Sequence, residues 1–227
     1  MHQKTYGVMQ ALWGFYSLQK KHRRFIIGGA LGLTASVSLF FGYRWYSFAR
    51  ESEAQKHFIK CVEDFHSVFV QGGNWARVAV SCEQGAFMNK GTYWEPYFYA
   101  YQAQALVNDG KLNAAIDALD MTLSLMPYRS PARSAYAIMH ALMTLDSVDS
   151  TRHEAALQAL RKIAHNSSDI ASDEALFYLG YYYWQHDKSS EAYGEWQALV
   201  KRDQDDRTSS SPWAGLAEPL LEQITVS

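Results

Sequence analysis

Residues 173–201, DEALFYLGYYYWQHDKSSEAYGEWQALVK, carry the pattern that decides the fold. Two apolar runs with helical spacing flank His186-Asp187-Lys188. In the first, Leu176, Leu179, Gly180 and Tyr183 share one helical face, and in the second Ala192, Trp196 and Leu199 do. Small residues stand where two antiparallel helices must cross closely, and bulky ones where neighbouring pairs leave gaps. The stretch therefore predicts a helix, a tight turn and a second helix packed back on the first.

The same frame fits upstream from Pro96. Tyr99, Ala103, Leu106, Ala115, Leu119, Thr122 and Pro127 read apolar, small, bulky, small, bulky, small and proline at positions 4, 8, 11, 20, 24, 27 and 32 of a 34-residue unit. Asn108-Asp109-Gly110 supplies the turn between its helices. This spacing resembles the tetratricopeptide repeat. In the later unit the closing proline is missing and Gln204 stands there. Between the two units, Ala132 to Leu145 and Thr151 to His165 read as a less regular pair, joined through residues 146–150. Before them, Phe58, Cys61, Val62, Phe65, Val68 and Phe69 mark one helix from Glu51 to Val70. Gln71-Gly72-Gly73-Asn74 stops it, and Trp75, Val78, Ala79, Cys82 and Ala86 stripe a second helix that exits at Asn89-Lys90-Gly91. About four helix pairs result, more than the three that bury a continuous core. A short helix around Leu216 to Ile224 caps the array after a polar linker at residues 203–212.

Cys61 and Cys82 are the two cysteines of the chain. They lie about 11 residues before and about 10 after the glycine turn, so an antiparallel hairpin sets them roughly opposite each other on its apolar faces. A disulfide is one reading of that placement, and two small thiols buried as hydrophobes the other.

The stretch Phe25 to Tyr43 (FIIGGALGLTASVSLFFGY) is free of charge. As a helix it covers about 28 Å, close to the roughly 30 Å hydrocarbon thickness of a bilayer. Lys20-Lys21-His22-Arg23-Arg24 precedes it, and Arg44-Trp45-Tyr46 follows it. Cationic flanks are retained in the cytoplasm and aromatic ones settle at an interface, so the N-terminus is expected inside and residues 51–227 across the membrane. A cleaved leader fits less well, because the apolar run is long and bulky aromatics stand before Ser47-Phe48-Ala49. A core helix of a soluble protein would need a shorter run. Gly28 and Gly32 form a small-xxx-small spacing suited to a second helix, hence to a homodimer through the anchor. In residues 1–24, Tyr6, Met9, Leu12, Trp13 and Tyr16 recur at helical spacing and suit a helix on the cytoplasmic membrane surface. The plain alternative is a tail that merely contains aromatics.

Net charge is -2 and the pI about 6.4, which provides no basic surface for nucleic acid. Nothing assembles an active site, so no enzymatic activity is expected. The eight histidines form no His-Glu-x-x-His pair, there is no Cys-x-x-Cys, and neither a nucleophile elbow nor a phosphate loop occurs, so no metal or cofactor is expected. Asp203, Asp205 and Asp206 lack the further oxygen ligands of a calcium loop.

Aromatic residues make up 15% of the chain, and their placement is the main functional clue. The tetratricopeptide resemblance implies a concave wall built by the first helix of each pair. Its positions here include Tyr97, Gln104 and, adjacent to them, Tyr101 in one unit, and Phe177, Tyr181 and Trp184 in the other. The last three recur at i, i+4 and i+7, on a stripe distinct from that of Leu176, Leu179 and Tyr183. Exposed rings on such a wall suit the capture of peptide segments. The alternative is that the C-terminal helix folds over the wall and buries them.

A short basic leader, one membrane helix leaving through Gly42-Tyr43-Arg44-Trp45-Tyr46 and an all-α array of tetratricopeptide-like pairs together resemble the YfgM-type ancillary subunit of the bacterial Sec translocon. The resemblance implies a single-pass inner-membrane protein with its array in the periplasm. Its implied partners are the translocon, a membrane-anchored periplasmic chaperone and newly exported clients. A scaffold for another envelope assembly is the alternative.

Overall fold

The computed structural model describes residues 4–205 and 211–226, with side chains and their surroundings described for 32–205 and 211–224. Among those residues every regular element is a helix and there is no strand. The helices are α1 (Lys4–Gln71), α2 (Trp75–Met88), α3 (Glu95–Asn108), α4 (Leu112–Leu125), α5 (Arg133–Leu145), α6 (His153–Ala164), α7 (Ser172–Gln185), α8 (Ser189–Asp205) and α9 (Pro212–Val226), with one 3₁₀ turn at Ser150–Arg152. The chain divides into two compact units, residues 1–53 and 54–227.

The first unit is helix alone. Its described apolar side chains, among them Leu39, Phe40, Phe41, Tyr43, Trp45 and Phe48, are exposed around the helix, and Gly32 has open space where a Cβ would stand. Among the described residues no helix is long and apolar enough to cross a membrane; residues 25–31 of the Phe25 to Tyr43 stretch lie outside that description. Gly28 and the aromatic stripe of residues 6–16 lie outside it as well. The helix read from Glu51 to Val70 is the end of α1. Between Tyr43 and Gln71 no glycine or proline interrupts the chain, so the backbone has no reason to leave the helix.

The second unit consists of antiparallel pairs. The end of α1 pairs with α2, α3 with α4, α5 with α6 and α7 with α8, while α9 packs on α7 and α8. Sequence boundaries hold closely except at the end, where α8 runs on to Asp205 and α9 starts at Pro212, earlier than the expected cap. Gly72 and Gly73 leave the helical region to end α1, and Asn74 caps α2 by accepting from the Arg77 N–H at 3.0 Å. The turns inside the α3–α4 and α7–α8 pairs each use a left-handed residue. Gly110 supplies it at φ +75°, and Asp187, at φ +58°, fills the same role in the last pair.

Two clusters of buried side chains stabilise the unit. One gathers Cys61, Val78, Ala79, Phe98, Ala103 and Leu119 from α1–α4; the other gathers Ile138, Leu160, Leu176, Leu179, Trp196 and Leu199 from α5–α8, with Ala214 and Ala217 of α9. Helix α5 is the joint between them. Its Ile138 and Ala141 belong to the second cluster, while Tyr136, Met139 and Met143 pack against the first.

Cys61 and Cys82 are bonded, with Cα atoms 5.5 Å apart, and clamp α1 to α2. Arg133 at the start of α5 donates to the carbonyls of Leu123 and, at 2.7 Å, Met126, satisfying orphan acceptors at the end of α4. Ser134 Oγ donates to Asp169 at 2.6 Å, tying the start of α5 to the loop before α7. Arg202 near the end of α8 donates to Ser172 at 2.7 Å and to Asp173 at 3.0 Å at the start of α7.

Candidate protein-interaction site

The residues assigned to the concave wall lie on α3 and α7, with α5, the first helix of the pair between them, adding a third stretch. On α3 the rings are engaged. Tyr101 lies edge-on to Phe58 and Phe65 of α1, with centroids 5.4 and 5.3 Å away, and Tyr97 meets Tyr93, Trp94 and Tyr136. The Tyr93 and Tyr97 hydroxyls share a hydrogen bond of 3.0 Å. Tyr97, Tyr101 and Gln104 are all half-buried. The apolar face of α1 thus uses Phe58 and Phe65 to bury the rings that the repeat frame assigns to binding.

On α7 the stripe splits. Phe177 packs at a tilt against Trp213 of α9, centroids 5.4 Å apart, and Trp213 meets Tyr178 at the same distance. One end of the stripe is therefore covered by the C-terminal helix. The other end stays open: Tyr181 and Trp184 keep 38% and 36% of their surface exposed, while Leu176 and Leu179 on the neighbouring face are fully buried. Tyr181 lies 6.5 Å from Phe177 and 6.0 Å from Trp184, ring to ring. Beneath them Trp196 of α8 is fully buried and donates its indole N–H to the Phe177 carbonyl at 3.0 Å.

Between α5 and α7 lies a groove of about 360 Å³ that sequence reasoning did not foresee. Ala135, Tyr136, Met139 and Leu142 of α5 form one side, and Glu174 and Tyr178 of α7 the other. The signal was present. Ala141 occupies the small crossing position that Ala103 and Gly180 hold in their units, and counting from it puts Ala135, Met139 and Leu142 on the same face as Tyr97, Tyr101 and Gln104. Burial pushes the Tyr136 phenol up to about 12, with Tyr101 and Tyr97 adding to the effect. It raises the Glu174 carboxyl as well, and the Tyr178 phenol is raised by burial and by the nearby Glu174 charge. Among the described residues the groove lining holds one carboxylate and no Lys, Arg or His.

Elsewhere, among the described residues, no group of three or more His, Cys, Asp or Glu side chains is placed to hold a metal ion. Asp203, from the acidic run, accepts from the Ser211 N–H and so closes the connection between α8 and α9. Asp120 of α4 lies 2.9 Å from His140 of α5 and 3.1 Å from Arg152, joining two pairs on their outer side.

No family model matches the sequence, and no curated protein does. The nearly identical TPR-like repeats of a kinesin light chain-like protein from Podosopora anserina are similar in structure, with a TM-score of 0.57 at 13% identity over 78% of this chain and 87% of that one. A single-substitution variant of those repeats gives 0.55 at 14% identity over 78% and 94%. Likeness at such identities speaks for the fold alone. The helical array is tetratricopeptide-like, and repeats of that kind generally mediate contacts between proteins.

Proposed function

We propose that this chain is a non-enzymatic, single-pass inner-membrane protein whose tetratricopeptide-like array stands in the periplasm and captures segments of newly exported proteins beside the translocon, together with a membrane-anchored chaperone. The observation that carries the reading is the open stretch of the wall, where Tyr181 and Trp184 remain exposed next to an apolar groove. Large rings that keep a polar edge bind varied segments at low ordering cost. The anchor reading is supported by exposed apolar and aromatic side chains around residues 33–48 and by the uncharged stretch with its basic flank. An oxidising compartment suits the Cys61–Cys82 bond. Tethering would raise the local concentration of the array near emerging chains, so that weak sites suffice.

The test is photo-crosslinking in intact membranes from position Tyr181. Adducts to translocon components and to many exported chains are the expected result. One dominant folded partner in stoichiometric yield would replace this reading with that of an assembly scaffold. No adduct from an expressed, folded chain would overturn it.

A further inference from the structure

The α5–α7 groove has a chemical asymmetry that bears on what it accepts. Its walls are apolar and aromatic, and a single carboxylate, Glu174, sits among them. The other acids of this edge are engaged: Asp169 accepts from Ser134 at 2.6 Å, and Asp173 from Arg202 at 3.0 Å. The nearest cation along the chain, Arg133, spends its guanidinium on the carbonyls of Leu123 and Met126. Burial raises the Glu174 carboxyl, and among the described residues no Lys, Arg or His lines the groove beside it. The first turn of α7 favours the Glu174 charge, and a half-buried acid in an apolar groove gains a direct partner once an occupant brings a cation.

We propose that the α5–α7 groove binds apolar polypeptide segments that carry a lysine or arginine, the cation pairing with Glu174 and its aliphatic stem lying along Tyr136 and Tyr178. This rests on the peptide-capture reading above and adds its selectivity. Both rings line the groove beside Glu174, and Met139 and Leu142 accept the apolar residues that flank the cation. Acidic segments and free carboxyl termini are excluded, since the lining holds no Lys, Arg or His to receive them.

The experiment uses the full chain in detergent and fluorescence anisotropy with three labelled dodecapeptides of leucine, alanine and serine, differing at one central position: lysine, norleucine or glutamate. The lysine peptide is expected to bind about tenfold more tightly than the norleucine peptide, as one charge-assisted contact allows. Glu174→Gln should reduce that preference to within about twofold, and Glu174→Lys should favour the glutamate peptide. Equal binding of all three peptides to the wild-type chain would overturn the selectivity and leave peptide capture standing. A lysine preference that survives Glu174→Gln would overturn the assignment to this groove. No binding of any peptide, with a mass by light scattering that shows a dimer dissociated by Glu174→Lys, would give the groove to a second copy and overturn both readings. Circular dichroism of each variant confirms that the wild-type fold is retained.

Discussion

Replacing Gly180 by alanine should destabilise the array even though alanine is the better helix former. A Cβ at Gly180 would meet the Trp196 ring at 2.5 Å from Nε1, 2.7 Å from Cδ1 and 2.9 Å from Cε2, roughly an ångström inside normal contact. The ring has little room to yield. It is fully buried, donates to the Phe177 carbonyl at 3.0 Å and lies between Phe177 and Trp184, 6.3 and 6.1 Å away by centroid. Overpacking of this kind costs about 1–3 kcal/mol, and losing the indole hydrogen bond adds about 1 kcal/mol. The gain in helix propensity offsets about 1 kcal/mol. The net is about 1–3 kcal/mol, a fall in Tm of roughly 2–10 °C for a domain of this size.

Gly194 supplies the internal control. It lies in α8, exposed, with nothing within 4 Å of where an alanine methyl would stand, so Gly194→Ala should raise Tm by about 1–4 °C. Thermal melts of the full chain in detergent, followed by far-UV circular dichroism, compare the two. Adding Trp196→Leu to Gly180→Ala should relieve the clash, giving a coupling of about 1–2 kcal/mol in a double-mutant cycle. If Gly180→Ala melts as high as Gly194→Ala, the Trp196 ring is not wedged beneath α7 and the account of this pair fails.

Three further outcomes follow. Reducing the Cys61–Cys82 bond, which closes a loop with a sequence separation of 21, should lower stability by about 3 kcal/mol, read as the difference in urea midpoint with and without reductant. An unchanged midpoint would show that the bond does not constrain the unfolded chain. Burial lowers the His140 pKa against the opposing pull of Asp120; the unfolded chain then binds the extra proton, so this stability is present above about pH 6.5 and is lost as pH falls through the lowered value. His140→Gln should flatten the fall in Tm between about pH 7.5 and about pH 5, and an unchanged slope would place the titration elsewhere. Glu174 has the opposite sign: its carboxyl is raised by burial, so the folded chain holds the proton more tightly and stability falls as pH rises from the ordinary carboxyl value of about 4.3 through the raised one. At about pH 7 Glu174→Gln should therefore melt at or above the wild-type temperature, the excess vanishing near about pH 4; a lower Tm at neutral pH would mean that the carboxylate has a stabilising partner.

The helix pairs were legible because their signals are local. Small residues at crossings, such as Ala103 and Gly180, and turns built on Gly110 or Asp187 write the geometry directly into the spacing. The continuity of α1 was not legible, because a change in composition after Tyr46 looks like a boundary although nothing there stops a helix. The wall was legible as a stripe but not in its accessibility. Whether Tyr101 is open depends on Phe58 and Phe65, and whether Phe177 is open depends on Trp213, residues distant in sequence that belong to other helices. Helix α5 is legible as a helix and not as a wall, since its unit departs from the 34-residue period.

Those long-range contacts also locate binding along the wall. At the α3 end, rings from α1 occupy the surface, and at the Phe177 position Trp213 does. Both coverings complete a core: the first cluster takes in Phe58, Phe65 and Tyr101, and the second takes in Phe177 and Trp213. Helix α5 joins those two clusters and remains uncovered on its wall side, where the chain has placed a carboxylate that burial disfavours. A packing role would be served as well by glutamine or leucine at position 174, at lower desolvation cost. The first turn of α7 accounts for a negative charge at this end of the helix, yet no described residue of the groove lining pairs with it, so a cationic partner comes from outside the fold and puts the selective part of this surface at the joint between the two cores.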